Sequence, residues 1–170
     1  PEAVVIIGGA HVSATSMTVL DEIEEADYGF AGEGEIGLPM LSKRILRDEI
    51  IPLENIPGLI WRNGSSVHNN ARAGTDDLDS LGFQAWDLMP PISYDGSPQG
   101  GFYKRFPIAP ISTTRGCPYL CTFCGSGVNM GHKLRLRSMN HVLDEMVMLY
   151  KDYGVREFHI IDDMFNFHKN

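Results

Sequence analysis

Long apolar runs and scattered cysteines are both missing from this sequence of 170 residues. No stretch of about 18 consecutive apolar residues occurs, so the sequence contains no conventional membrane-spanning helix. No signal-peptide pattern is visible at the start. The chain has only three cysteines, and they lie together in one short segment. This arrangement excludes a disulfide framework and predicts a protein of the reducing cytoplasm.

Basic residues are also scarce. The chain has 14 Lys and Arg against 22 Asp and Glu, which gives a formal net charge of −8 at pH 7. A surface that binds nucleic acid broadly carries the opposite excess, so this balance argues against a nucleic-acid partner. The apolar fraction of 43% is ordinary for a soluble globular protein.

The first 50 residues alternate between strand and helix patterns. Residues 3–7 form a continuous apolar, β-branched run, typical of a strand buried on both faces of a parallel sheet. Gly8 and Gly9 end this run. The order of elements predicts a doubly wound α/β domain, in which ligands bind beyond the carboxyl ends of the strands. The predicted elements are a strand over 3–7, a helix over 16–25, a strand over 28–31 and a helix over 38–47.

The middle of the chain has a different character. Asn63-Gly64 is a strong signal for a two-residue hairpin turn between strands over 59–62 and 66–68. Prolines and glycines then accumulate between residues 74 and 110. Such a composition predicts a linker with little regular structure.

From Ala109 the pattern becomes strand, cysteine segment, helix and strand. Ser138 is a good N-cap for the helix, and Gly154 fits its end. The last strand is predicted over 155–161, with Ile160 and Ile161 inside. A helical crossover between two strands implies that they are parallel, as in the first unit of a β/α barrel.

The three cysteines carry the clearest chemical signal. Cys117, Cys121 and Cys124 have the spacing C-x3-C-x2-C. Three thiolates on one loop can hold three corners of an iron–sulfur cube and leave the fourth iron open. The alternatives are a zinc site that takes a fourth ligand such as His132, and three buried thiols without a metal. Zinc sites usually combine a C-x2-C pair with distant ligands, so the spacing favours a cluster.

The surroundings of the cysteines resemble a known family. Residues 110–116 precede Cys117, and the aromatic Phe123 directly precedes Cys124. Together they look like the opening of a radical S-adenosylmethionine enzyme. The resemblance implies a 4Fe–4S cluster on the three cysteines and S-adenosylmethionine on the open iron, with Phe123 on the cofactor side. It also implies formation of a 5′-deoxyadenosyl radical.

A second motif follows the last predicted strand. Asp162 and Asp163 stand at the carboxyl end of that strand, on the face where barrel enzymes perform chemistry. The segment is similar to the Asp-Asp-x-Phe-Thr motif of the cobalamin-linked branch of the family, from which it departs at Asn166. The resemblance implies that Asp162 and Asp163 hold the amino group of S-adenosylmethionine. The alternative is a carboxylate pair that caps the next helix.

The first 50 residues resemble the C-terminal half of a cobalamin-binding domain. In that family, a Gly-Gly pair after a buried strand lets the nucleotide tail of cobalamin approach the backbone. The histidine motif of the family would lie upstream of Pro1, and His11 does not occupy its position. The residues that the resemblance places on the cobalamin side are Gly8, Gly9, Gly32, Glu33, Gly34 and Glu35.

A basic cluster follows the cysteines. It has two interpretations: a solvated loop, or a contact with the cofactor carboxylate or an acidic substrate, since Arg pairs carboxylates bidentately. The cluster consists of His132, Lys133, Arg135 and Arg137.

The fold class predicted is α/β, with three segments. Residues 1–50 form the C-terminal part of a doubly wound, Rossmann-like cobalamin-binding domain. Residues 51–106 form a hairpin and interdomain linker, and residues 107–170 form the first β-α-β unit of a radical S-adenosylmethionine barrel. We expect the sequence to be an internal part of a longer protein, and we expect this part alone to be inactive.

The resemblance implies a cobalamin-dependent transferase that moves a methyl group, or a related rearranging or ring-forming enzyme. Its substrate would be a small molecule that the sequence does not identify, and its electron donor a protein such as flavodoxin or ferredoxin. The alternatives are a methylthiotransferase-like enzyme and a non-catalytic iron–sulfur or zinc module. Methylthiotransferases carry three further cysteines in an N-terminal domain, and residues 1–116 contain none.

Overall fold

The computed structural model describes residues 3–94 and 102–167. Among these residues, no helix is long and apolar enough to cross a membrane. The chain divides into two compact units. The first consists of Pro1–Thr75 and Gly116–Lys133, and the second of Asp76–Arg115 and Leu134–Asn170.

The first unit contains a mixed four-stranded sheet in the order β1-β2-β3-β4. β1 and β2 are parallel, whereas β2, β3 and β4 pair antiparallel. The helices of this unit are α1 to α4, and a 3₁₀ turn covers Leu53–Asn55. The strands are β1 (Ile6–Ile7), β2 (Tyr28–Phe30), β3 (Leu59–Asn63) and β4 (Ser66–Asn69), and the helices are α1 (Ala10–Thr15), α2 (Val19–Glu22), α3 (Gly37–Arg47) and α4 (Ser126–Met130).

Two clusters of buried apolar side chains hold this unit together. One joins α1 and α2 to the sheet, and the other packs α3 against β2 and β3. The prediction of a strand near residue 28, a helix near residue 38 and a hairpin is confirmed. The first cluster consists of Val12, Val19, Leu20, Ala26, Ala31 and Ile60, and the second of Phe30, Leu41, Ile56 and Leu59.

Three details of the first unit differ from the prediction. In place of the helix expected over 16–25, α2 covers only Val19–Glu22, and α1 ends before that range, at Thr15. The amide and hydroxyl of Thr18 both donate to Thr15 O and form a turn between the two helices. The turn residues of the hairpin are Gly64 and Ser65, since Asn63 still pairs with Ser66.

The first strand is the third difference. β1 lies at the edge of the sheet and is shorter than predicted. Val4 and Val5 are 44% and 41% exposed, so the expectation that residues 3–7 are buried on both faces is wrong. An edge strand has a neighbour on one side only, which leaves apolar side chains uncovered.

The second unit is built on a parallel pair of strands. β5 (Ile108–Ile111) pairs with β8 (Glu157–Ile160), and α5 (Met139–Asp152) connects them along the chain. The predicted strand-helix-strand unit with parallel strands is therefore confirmed. A two-stranded antiparallel ladder, β6 (Thr114–Arg115) with β7 (Arg135–Leu136), flanks the cysteine segment.

The helix α5 forms for the reasons that its sequence suggests. Ser138 Oγ accepts a hydrogen bond from His141 N at 3.2 Å, so the predicted N-cap is confirmed. Gly154 follows the helix with φ of 69°, a conformation that glycine adopts readily. Val142 and Leu149 turn into a core that includes Trp86 and Val155.

The carboxyl end of β8 is less buried than predicted. Ile160 and Ile161 are exposed. Within the described part of the chain, β8 pairs with β5 alone, and α5 packs on one face of the pair. The strand also ends one residue earlier than expected, at Ile160.

The division into units also differs from the three predicted segments. The hairpin of β3 and β4 belongs to the first unit, since β3 pairs with β2. Residues 76–94 contain two 3₁₀ turns, Leu78–Leu81 and Pro91–Ser93, and otherwise little regular structure, and they belong to the second unit. Residues 95–101 of the predicted linker lie outside the described residues.

A buried carboxylate organises the second unit. Glu145 on α5 is fully buried, and its Oε1 accepts hydrogen bonds from Trp86 Nε1 at 2.8 Å and from Gln84 N at 3.3 Å. Its Oε2 lies 2.7 Å from Arg137 Nη2. Arg137 also donates to Ser112 O at 2.9 Å. The pair therefore ties residues 84–86 and the end of β5 to α5.

Asp79 adds a contact at the start of the same helix. Its Oδ1 accepts a hydrogen bond from Ser138 N at 2.9 Å. Hydrogen bonding to Ser138 lowers the pKa of the Asp79 carboxyl below its ordinary value. A carboxyl with a lowered pKa stabilises the folded state above its unfolded-state pKa, and this stabilisation is lost as the pH falls through the folded-state pKa.

We expect Glu145→Leu to lower the free energy of unfolding by about 3 to 5 kcal/mol, because it leaves Arg137 buried without its carboxylate. Urea titration followed by Trp fluorescence measures this, and Trp86 lies at the site. The control Asp144→Leu changes an exposed neighbour on α5 and should cost less than about 0.5 kcal/mol. Equal losses in the two variants would contradict a structural role for the buried pair.

Candidate cofactor sites

The cysteine loop, residues 117–131, is closed at its neck by a main-chain hydrogen bond and a contact of the His132 ring. Cys117 N donates to Gly131 O at 3.1 Å, and His132 Nδ1 lies 3.1 Å from Cys117 O. Gly116 has φ of 89°, and a Cβ at this position would overlap Lys133 O. Only glycine fits there, so the entry to the loop depends on its missing side chain.

The loop presents its thiols at different depths. Cys117 is buried at the neck, whereas Cys121 and Cys124 are exposed. Cys124 N donates to Cys121 O at 3.1 Å, and Cys124 Sγ lies 3.5 Å from Ser126 N, at the start of α4. Phe123 is 92% exposed between them.

The donor set fits a soft metal centre in its chemistry. Three thiols are ligands for iron–sulfur clusters and zinc rather than for hard cations. Within residues 3–94 and 102–167, no three His, Cys, Asp or Glu side chains are grouped closely enough to hold a metal ion. Cluster ligation by Cys117, Cys121 and Cys124 therefore stays a prediction that rests on their spacing and chemistry.

His132 has a defined place in the loop. Its ring packs directly against Gly127 on α4, where a Cβ would overlap the imidazole. Its Nδ1 faces Cys117 O. These contacts give the ring a role in closing the loop, which is a different role from the zinc ligand considered as an alternative.

The glycines predicted for the cobalamin side lie together. Gly8, Gly9, Gly32 and Gly34 line one cleft of about 440 Å³, with Leu38 at the start of α3. No heavy atom lies within 4 Å of a Cβ built on Gly9, and one on Gly8 would meet only Phe30 O at 3.8 Å. The cleft is thus open where the backbone carries no side chain.

The two glutamates of this motif lie beside the cleft rather than among its lining residues. Glu33 is half-buried and Glu35 is exposed. Both form interactions within the chain. Their assignment to the cobalamin side stays a prediction.

The two aspartates after β8 have different environments. Asp162 accepts a hydrogen bond from Thr113 N at 2.7 Å and another from Thr113 Oγ1, so its carboxylate joins the ends of β8 and β5. Asp163 is exposed. Asn166, where the sequence departs from the family motif, has φ of 63°. Asn adopts this left-handed conformation far more readily than a β-branched Thr.

The basic cluster is partly structural. Arg137 is buried against Glu145 and Ser112, and Arg135 on β7 is also buried. Arg137 is therefore engaged inside the second unit and is not a contact for a cofactor carboxylate.

Sequence patterns missed three residues that the structure places beside the predicted sites. They are Ser13, Arg72 and Thr113, and each bonds to residues far away in the chain. A polar residue in a loop or short helix gives no local periodic signal, so nothing in the sequence distinguished them from solvated side chains.

No protein-family model matches the chain, but similar proteins were found. The chain is 30% identical over 168 residues to an uncharacterized methyltransferase of Pyrococcus horikoshii, and the match covers 97% of this chain and 34% of that protein. It is 30% identical over 165 residues to the anaerobic magnesium-protoporphyrin IX monomethyl ester cyclase of Cereibacter sphaeroides, with 96% of this chain and 26% of that protein covered. The chain thus spans about a third or less of the length of these relatives.

Two solved structures resemble the chain in fold. The radical S-adenosylmethionine methyltransferase TsrM from Kitasatospora setae, with cobalamin and a 4Fe–4S cluster bound, matches with a TM-score of 0.67 at 22% identity. That match covers 97% of this chain and 31% of TsrM. The cobalamin-dependent S-adenosylmethionine radical enzyme OxsB, with aqua-cobalamin and S-adenosylmethionine bound, matches with a TM-score of 0.72 at 17% identity. That match covers 95% of this chain and 21% of OxsB. The predicted mixed α/β fold class is confirmed.

We expect Gly116→Ala to open the neck of the cysteine loop, because its Cβ would meet main-chain atoms at a positive φ. Hydrogen exchange of the Cys117 amide, which bonds to Gly131 O, should accelerate at least about tenfold as local opening becomes easier. Gly125→Ala is the matched control, since a Cβ at Gly125 meets open space and its φ is −84°. Similar exchange in both variants would contradict the role of Gly116.

Proposed function

We propose that this chain is part of a cobalamin-dependent radical S-adenosylmethionine enzyme. The chain resembles that family in its motifs, and the comparisons confirm the resemblance. The activity proposed for the whole protein is methyl transfer, or a related radical rearrangement or cyclisation. The observation that carries the proposal is the loop with C-x3-C-x2-C spacing, in a chain that also contains the glycine-lined cleft.

The cysteine loop would hold the cluster. Cys117, Cys121 and Cys124 supply three thiolates, which leaves one iron of a 4Fe–4S cluster for S-adenosylmethionine. When bound, these groups would supply one-electron and radical chemistry. The chain's own contribution is to carry the three thiols on one loop, and the closed neck at Gly116 and Gly131, which fixes the base of that loop, supports the proposal.

The glycine-lined cleft would hold cobalamin. A nucleotide tail can approach the backbone where no Cβ intervenes, and both Gly8 and Gly9 leave such space. Gly32 and Gly34 line the same cleft. Glu33 and Glu35 are assigned to this side as well, from their place in the motif.

The S-adenosylmethionine side would include Phe123, Asp162 and Asp163. Asp162 already accepts two hydrogen bonds from Thr113, so it serves chiefly to position the end of β8. Asp163 is the exposed member of the pair and is assigned the contact with the amino group of the cofactor.

The remaining assignments follow from the same proposal. Residues 1–50 would form part of the cobalamin-binding domain, and residues 107–170 the start of the radical S-adenosylmethionine barrel. The protein would act in the cytoplasm on a small molecule, with electrons from a flavodoxin or ferredoxin. The tryptophan bound in the structure of TsrM shows that one structural neighbour takes such a substrate.

Anaerobic reconstitution tests the cluster. We expect the full-length protein to bind one oxygen-sensitive 4Fe–4S cluster, and we expect Cys→Ala at position 117, 121 or 124 to remove it, because the 170 residues contain no other cysteine that could replace the lost ligand. Iron and sulfide analysis and electron paramagnetic resonance of the reduced protein measure this. Stoichiometric zinc without iron would sink the proposal.

Replacement of a cleft glycine tests the cobalamin site. We expect Gly8→Val to lower the cobalamin content of the full-length protein at least about tenfold, because the valine side chain would occupy the cleft that we assign to cobalamin. Gly8 is the suitable position, since its backbone does not have the positive φ of Gly9. Iron content and melting temperature should stay at parental values. If Gly8→Val retains its full cobalamin content, the glycine-lined cleft is not the cobalamin site.

A further inference from the structure

One arginine connects the two predicted cofactor sites of the first unit. Arg72 Nη2 donates to Ser13 O at 2.7 Å, and Arg72 Nη1 donates to Val128 O. Ser13 lies on α1, which begins directly after Gly9. Val128 lies on α4, which begins two residues after Cys124. A single side chain therefore bridges the helix behind the cleft and the helix behind the cysteine loop.

The α1 end of this bridge is itself bound to both glycine motifs. Ser13 Oγ donates to Gly9 O and accepts from Gly32 N, each at 2.9 Å. Ser13 is only 3% exposed. Its hydroxyl thus sets the spacing of the two backbone segments that line the cleft, and Arg72 binds the carbonyl of that same residue.

The α4 end of the bridge lies against the cleft as well. A Cβ on Gly32 would come within 3.2 Å of Arg72 Cδ and 3.6 Å of Asn129 O. The missing side chain at Gly32 therefore makes room for the stem of Arg72 and for α4. This close packing gives Gly32 a reason to be glycine that does not depend on any ligand.

Arginine suits this bridge better than lysine. A guanidinium has donors that point in different directions within one plane, so it can reach two carbonyls on two helices at once. A lysine ammonium is a single point of charge on a flexible stem, and it would satisfy one carbonyl at the expense of the other.

We propose that Arg72 is a positioning residue that fixes the spacing between the cobalamin cleft and the cysteine loop. The part of this inference that concerns bound cofactors rests on the proposed function, whereas the bracing of α1 against α4 does not. Spacing matters because a displacement of about 1 Å can cost a reaction about a hundredfold in rate.

The first test needs no cofactor. The amides of Asn129 in α4 and of Gly131, the residue that follows α4, bond to Gly125 O and Gly127 O. In Arg72→Met, these two amides should exchange hydrogen at least about tenfold faster relative to amides of α3. The matched control is Arg62→Met, since Arg62 also donates to two main-chain carbonyls, Ala26 O and Leu20 O. Arg62→Met should leave the exchange rate of the Asn129 and Gly131 amides, relative to those of α3, at the parental value. Parental exchange of α4 in Arg72→Met would overturn the brace.

The second test reads the spacing itself in the reconstituted full-length protein. The magnetic coupling between the reduced cluster and cob(II)alamin depends steeply on their separation, and pulsed electron paramagnetic resonance measures it. We expect a shifted or broadened distance distribution in Arg72→Met and Arg72→Lys, with parental iron and cobalamin contents. Arg62→Met should give the parental distribution.

The two tests distinguish bracing of α1 against α4 from control of the distance between the cofactors. An unchanged distance distribution in Arg72→Met would overturn the positioning role even if α4 exchanges faster. A parental protein that retains no cobalamin would overturn the proposed function and, with it, the cofactor spacing. The exchange experiment would then still decide whether Arg72 braces α1 against α4.

Discussion

The close approach of the chain to itself at Gly116 is the constraint on which the candidate metal site depends. The ladder of β6 and β7 brings the two ends of the loop segment side by side, with Arg115 opposite Arg135. Beyond Arg115 the backbone passes against Lys133 so closely that a Cβ does not fit. The missing side chain of Gly116 thus permits the close approach that the contacts of Cys117 with Gly131 and His132 hold in place.

Much of the fold could be predicted because its elements have local signals in the sequence, such as caps and glycine stops. The cap at Ser138 and the stop at Gly154 mark α5 in the sequence, and the helical crossover implies parallel strands. Burial was harder to predict. The apolar run over 3–7 indicates a central strand, yet β1 lies at a sheet edge. The composition of a segment indicates which side chains favour burial, whereas the strands and helices that cover them depend on the fold of the whole unit.

The candidate sites were predicted in part. The glycines of the first 50 residues carry a motif, and the structure brings four of them to one cleft. The contacts of Arg72 and Asp162 could not be read from the sequence, because their partners lie 56 and 49 positions away. Such pairs follow from the folded path of the chain, and no periodicity marks them in advance. For the same reason, the sequence did not indicate that Arg137 packs against Glu145.

The neck of the cysteine loop has a consequence for how a metal would be loaded. The hydrogen bond from Cys117 N to Gly131 O and the packing of His132 on Gly127 use no sulfur atom. Part of the entropy cost of closing the loop is therefore met by contacts of the chain itself. In small zinc domains, by contrast, folding and metal binding are a single event. If the three cysteines hold a cluster as proposed, the closed neck would persist when the cluster is lost, because neither of its contacts involves a thiol.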